Sequence, residues 1–169
     1  MPLTPTHLGP SLFLFSLKPR LFNFWALLLG SALMDFENVF WTLINALNDC
    51  PRCPHHGFFH SILGAIFGSF ILAFILRKLA KSLDKISLKL GLEQSFSLKT
   101  LFLSGLLGWT LHVLADSLVH RDVFIFWPLK TTPLLISWSL YWPLSFGFTI
   151  LGLFSMIILL IRIVKGKKT

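Results

Sequence analysis

Charge is what this chain lacks most. Only 13% of its 169 residues are Asp, Glu, Lys or Arg, about half the share usual in a soluble domain, while 54% are hydrophobic. No water-soluble interior of this size hides so much apolar side chain, so lipid is the expected solvent. The basic residues outnumber the acidic ones 15 to 7, yet they form no stripe interleaved with aromatics. They sit in the short polar breaks between apolar runs, which argues against nucleic acid as a partner and marks them as topology determinants. Cysteine is nearly absent too. Cys50-Pro51-Arg52-Cys53 has no second C-x-x-C to complete a zinc knuckle. A disulfide or another local structural role therefore ranks ahead of a redox pair or a zinc half-site shared with the adjacent histidines. A cleavable leader is also missing its marks. No basic residue precedes the first apolar run, and Lys18-Pro19-Arg20 stands where small cleavage-site residues would be, so the run is expected to be retained.

What the chain has in abundance is long apolar runs with eighteen Phe and six Trp, the aromatics that gather at lipid interfaces and in membrane bundles. The runs predict an all-α integral membrane protein, a single membrane domain over 1–169 with helices near 3–17, 21–47, 57–79, 99–118 and 137–164. That makes a bundle of four to five transmembrane helices whose first member is short or only half-spanning. Residues 77–99, basic with interspersed apolar positions, read as a cytoplasmic connection or surface-lying amphipathic stretch.

Orientation follows from the Lys and Arg of alternate breaks. Lys18, Arg20, Arg77, Lys78, Lys81, Lys85, Lys89, Lys99, Arg162, Lys165, Lys167 and Lys168 fall on one side, and only Arg52, Arg121 and Lys130 on the other. The positive-inside bias places the C-terminus in the cytoplasm and the loops 48–56 and 119–136 outside a plasma (inner) membrane.

With that topology, ionisable residues far apart in sequence converge on the outer half of the bundle: His7, Asp35, Glu37, His55, His56, His60, His112, Asp116 and His120. An Asp at the centre of a span costs about 2.5–3.5 kcal/mol on insertion scales, so such groups pair, bind an ion or line a polar cavity. His112 and Asp116 are four apart and share a helix face, as do His56 and His60, and His120 extends the first pair by a turn. Asp35 and Glu37 are two apart. From a regular helix they cannot reach one spot, so one faces elsewhere or the helix is interrupted there.

Imidazole nitrogens with carboxylate oxygens are the ligand set of catalytic zinc and related ions that keep an open position. Such an ion acidifies water and polarises a carbonyl or phosphoryl oxygen, and two ions clamp both ends of a displacement. The plainer alternative for His112 and Asp116 is an interhelical hydrogen-bonded cluster that fixes packing. For His55, His56 and His60 it is an interfacial loop with solvated rings.

Thr6-His7-Leu8-Gly9, Gly30-Ser31-Ala32-Leu33-Met34-Asp35-Phe36-Glu37, His55-His56-Gly57-Phe58-Phe59-His60-Ser61 and Leu111-His112-Val113-Leu114-Ala115-Asp116, with Trp127-Pro128 downstream, carry a family resemblance over residues 6–128, about three quarters of the chain. The sequence resembles the membrane-bound metal-dependent hydrolases of the YbcI/YdjM type, and more distantly the zinc-dependent phospholipase C class. The resemblance implies metal-ligand or catalytic roles for His7, Asp35, His55, His60, His112 and Asp116. The chain departs from the pattern at Met34, where the family has Pro, at Glu37, where it has a second Asp, and at His56, where it has Arg.

The resulting expectation is a membrane-embedded hydrolase at the extracytoplasmic side, with a phosphodiester or lipid ester as substrate and the bilayer as its other partner. Asp35, His55, His60, His112 and Asp116 would hold one or two divalent ions, zinc first, with manganese or iron as other candidates. Glu37, His7 and His56 would serve as catalytic groups, Glu37 or His7 acting as the base or orienting a ligand, and His56 partly replacing the Arg. The competing expectation is a non-catalytic metal-binding or ion-transporting membrane protein. A transporter needs polar residues continuing to the cytoplasmic side, and the inner halves of the spans offer only Ser69, Ser104 and Ser155.

Overall fold

The computed structural model describes residues 4–50 and 53–166. Arg52, Lys167 and Lys168, counted above for orientation, and the first residue of the expected helix 3–17 lie outside them. Among the described residues the chain is all-helical: α1 (Thr4–Leu17), α2 (Phe24–Ala32), α3 (Asp35–Leu47), α4 (Ile62–Lys78), α5 (Ala80–Lys89), α6 (Leu98–Ser117) and α7 (Tyr141–Gly166), with single 3-10 turns at Phe58–His60 and Trp138–Leu140.

The count of spans is lower than the apolar runs suggest. Three stretches are long and apolar enough to cross a membrane, Phe24–Leu47, Leu98–Ser117 and Trp138–Val164, and a fourth arises if α4 and α5, bent by 78°, form one span. With 14 residues, α1 is about 21 Å long, short of a hydrocarbon core of roughly 30 Å. The expected four to five spans are thus three, or up to four.

α6 is the axis of the bundle, packed against α2 and α4, while α1 packs against α7 and α2. Small residues permit the approach. A side chain at Gly108 would run into the Leu27 carbonyl, and one at Gly30 into the Gly105 backbone, so α2 and α6 meet backbone to backbone. Capping fixes the ends. Asn23 accepts from the Ala26 N–H at 3.0 Å, while its own N–H donates to Ser104 Oγ of α6 at 2.9 Å. Ser61 and Ser97 cap α4 and α6 through the N–H groups of Gly64 and Thr100.

α3 shows which solvent the fold was built for. Its buried positions are Asp35, Asn38 and Asn45, whereas Phe36, Val39, Phe40, Leu43 and Leu47 are exposed. Polar groups face inward and apolar ones outward, the inverse of a helix in water. The same outward apolar face runs along α4 and α7 through Phe67, Phe70, Phe74, Phe146, Ile150 and Phe154.

The expected helix over 21–47 is two helices. Between α2 and α3 the chain tightens at Leu33 and Met34, where the N–H groups of Phe36 and Glu37 reach back only three residues to the carbonyls of Leu33 and Met34. This interruption resolves the conflict between Asp35 and Glu37, because Asp35 now opens α3. At the other end of α3, Cys50 and Cys53 form a disulfide, and Asn45 Nδ2 donates to the Pro54 carbonyl at 3.0 Å.

Candidate metal centre

Five imidazoles surround one carboxylate. Asp116 sits near the C-terminal end of α6, and its Oδ2 lies 3.1 Å from His112 Nε2, 3.8 Å from His56 Nε2 and 3.9 Å from His60 Nε2. Its Oδ1 lies 3.4 Å from His7 Nε2 and 3.9 Å from His120 Nε2. Asp35 joins from the start of α3, its Oδ1 3.4 Å from His112 Nε2. The six residues with Asp116 make seven, none more than 8% exposed. α6 and its exit supply His112, Asp116 and His120 at four-residue spacing, α1 supplies His7, and the turn before α4 supplies His56 and His60.

The far sides of the rings decide their protonation. His112 Nδ1 donates to the Ser31 carbonyl at 2.8 Å and His60 Nδ1 to Glu37 Oε2 at 2.8 Å, while His56 Nδ1 lies 2.9 Å from Asp122 Oδ2. A carbonyl or ionised carboxylate can only accept, so the neutral His60 ring carries its proton on Nδ1 and turns its Nε2 lone pair to the centre, whereas His56 Nε2 accepts from Asn38 Nδ2 at 3.1 Å and His112 faces acceptors on both sides, its Nε2 hydrogen-bonded to Asp116 Oδ2 at 3.1 Å. Lone pairs facing the oxygens of a buried carboxylate repel unless a cation lies between them. His7 Nε2, His60 Nε2, His120 Nε2, Asp116 Oδ1 and Asp35 Oδ2 are buried without any hydrogen-bond partner, and their chemistry is that of a donor set that could hold a metal ion. Four overlapping triads have ligand atoms within 4.8 Å of one another: His7, His112 and Asp116; Asp35, His60 and His112; His56, His60 and Asp116; and His56, His120 and Asp122.

Outside the spans, local electrostatics suit the same use. Burial pushes His120 down to about 4, beyond what nearby Asp116 restores, and pushes His60 below the usual imidazole value despite its bond to Glu37. Burial alone would raise Asp122. The hydrogen bond and charge of His56, with the His55 N–H, instead hold it below the usual carboxylate range. At neutral pH these groups are neutral imidazoles and a carboxylate, the forms that bind metal.

The residues expected in the site do not all meet there. His7, Asp35, His60, His112 and Asp116 converge, and His56 converges with them as a ring of the cluster. His55 does not. Its ring stays partly exposed, with Nδ1 3.2 Å from Thr42 Oγ1, because consecutive residues of an extended turn point to opposite sides and His56 takes the inward position. Only the His55 backbone serves the site, its N–H donating to Asp122 Oδ2 at 2.8 Å. Glu37 stands behind His60 instead of beside the centre. It accepts from His60 Nδ1, the Gly57 N–H at 3.1 Å and the Phe59 N–H at 3.2 Å, so it anchors the turn that carries both histidines.

Two contributors were not anticipated. Asp122 orients His56, and its signal was available: it is one of only seven acidic residues and stands two places after His120. Asn38 Nδ2 lies 3.1 Å from His56 Nε2, one turn beyond Asp35, and nothing in its sequence context separates it from a packing amide.

A family model described as YdjM inner membrane protein matches residues 1–168. No curated protein and no solved structure matches the chain.

Proposed function

The chain belongs to the YdjM inner membrane protein family, and on that footing we propose that it is a membrane-embedded, metal-dependent hydrolase acting on a phosphodiester or lipid ester at the extracytoplasmic side of the membrane. One observation carries the proposal: five Nε2 atoms from three separate segments converge on the buried Asp116 carboxylate, and three of the rings face acceptors on their far side. A packing cluster satisfies its polar atoms among themselves, whereas this one, beyond the 3.1 Å hydrogen bond of His112 to Asp116, leaves the Nε2 atoms of His7, His60 and His120 buried without a partner.

His7, His112 and Asp116, with Asp35 alongside, form one candidate ligand group, and His56 and His60 with the same Asp116 form another. Asp116 belongs to both groups and would be a ligand in either. A divalent ion bound here, zinc before manganese or iron, supplies an electrophile for the substrate's ester oxygen and lowers the pKa of water. The protein's own part is orientation. Glu37 holds His60, Asp122 holds His56, and the Ser31 carbonyl holds His112, each fixing a ring by its outer nitrogen. His7, stacked on His112 with ring centroids 3.9 Å apart, has neither nitrogen hydrogen-bonded, so it either completes the ligand group or, left unligated, serves as the base that takes a proton. Glu37 already accepts three N–H groups and acts as a positioning residue in this scheme.

The alternate breaks of the sequence hold twelve Lys and Arg against three, and the Cys50–Cys53 disulfide suits an oxidising compartment on the poorer side. Both support a cytoplasmic C-terminus and a site near the outer face. Ion transport is less well supported, since Ser104 and Ser155 on the inner side are engaged by the Asn23 N–H and the Leu151 carbonyl.

The test is a substrate panel of aryl phosphodiesters, phospholipids and short-chain esters with detergent-purified protein. Turnover by the wild type, abolished by a chelator and by His60→Ala and restored by added zinc or manganese, is the expected result. Chelator-insensitive turnover, or equal turnover in His60→Ala, would overturn the assignment.

A further inference from the structure

The cluster borders a second feature that the proposed ligands leave unused. A cavity of about 400 Å³ is walled by His120, Arg121, Ser137 and Trp138 with the apolar Val119 and Leu135. His120 belongs to both places: it walls the cavity, and its Nε2, buried and unpartnered, points back to Asp116. The cavity is built by backbone bonding. The N–H groups of Ile136 and Ser137 donate to the Leu118 carbonyl at 2.9 and 3.3 Å, which holds the second wall against the end of α6. Trp138 forms the far wall, edge-on to His120 with ring centroids 5.2 Å apart and stacked on Tyr141.

Arg121 is the cation of this cavity. Among the described residues nothing pairs with it. Its neighbour Asp122 is committed to the His56 ring and the N–H groups of His55 and His56, and Asp116 is ringed by imidazoles. The Ser137 hydroxyl accepts from the Ser139 N–H at 3.1 Å and the Ser139 hydroxyl at 2.9 Å, which leaves its own proton to donate. A guanidinium fork, a free hydroxyl proton and a nearby imidazole make a seat for a tetrahedral oxyanion.

We propose that this cavity binds the phosphoryl group of the substrate through Arg121 and Ser137, so that of the two ester classes named above the chain takes phosphoesters. The catalytic meaning of the seat rests on the hydrolase reading, whereas phosphate binding by the seat does not. Arg121 is a substrate-binding residue outside the ligand set.

The experiment measures binding of inorganic phosphate to the purified full-length protein by titration calorimetry, for the wild type, Arg121→Ala and Arg121→Lys, with metal content read on the same samples. Arg121→Ala is expected to weaken phosphate binding roughly tenfold or more, with Arg121→Lys between it and the wild type and metal content alike in all three. Phosphate affinity equal in the wild type and Arg121→Ala overturns the proposal. Arg121-dependent binding to protein without metal would uphold the seat while removing the hydrolase reading, so the two failures are distinguishable. A second arm compares glycerol phosphate with dodecyl phosphate. Tighter Arg121-dependent binding of the long-chain compound identifies a lipid headgroup, and equal affinity identifies a soluble phosphoester.

Discussion

His55 and His56 are adjacent and chemically identical, yet only the His56 ring faces Asp116. Their sequence context gives no means of choosing, because the choice is made by the path of the turn, which Asp122 fixes by accepting both of their N–H groups. His56→Ala is therefore expected to lower bound metal while His55→Ala leaves it unchanged, as elemental analysis of the two variants would show. Glu37 gives a second prediction. Its carboxylate orients His60 and anchors the turn, and such supporting groups typically contribute about 10–100-fold to metal affinity. Glu37→Gln should weaken metal binding by about that factor in a competition titration with a coloured chelator. An unchanged affinity would count against a positioning role. His112 and Asp116, by contrast, were readable from spacing alone, since four residues on one helix leave little freedom.

At the scale of elements, the sequence located the apolar runs but not where they break. Hydropathy is continuous across Leu33 and Met34, so the interruption there, seen in the three-residue bonds of Phe36 and Glu37, leaves no hydropathic trace. The presence of two acids two residues apart in a span was the one local sign that a regular helix could not continue. The span count stands at three, or up to four, for a related reason: α1 is apolar but only 14 residues long, and α4 bends by 78° into α5. If the α2–α6 contact sets the depth of Asp35 against His112, bulk at Gly108 should disturb both fold and site. Gly108→Leu would press on the Leu27 carbonyl and is expected to cost about 1–3 kcal/mol, seen as a lower midpoint of thermal unfolding in detergent. Gly147→Ala, in open space on α7, is the matched control and should leave the midpoint unchanged.

For the whole molecule, solvent explains most of the pattern. Apolar residues cover the outside of α3, α4 and α7, and the polar groups turn inward, where a cluster of histidines and aspartates is assembled from four segments. The orientation proposed from the Lys and Arg asymmetry can be checked directly. A cysteine introduced at Thr131 should react with an impermeant maleimide in intact cells, and one at Ser82 on α5 only after the membrane is opened. The reverse pattern would invert the topology. The metal content of detergent-purified wild-type protein beside His112→Ala and Asp116→Ala decides whether the metal centre exists. Near-stoichiometric zinc, manganese or iron in the wild type, lost in both variants, is the predicted result. Well-folded, metal-free protein in all three would contradict the metal centre and leave Asp116 and its imidazoles as a packing cluster.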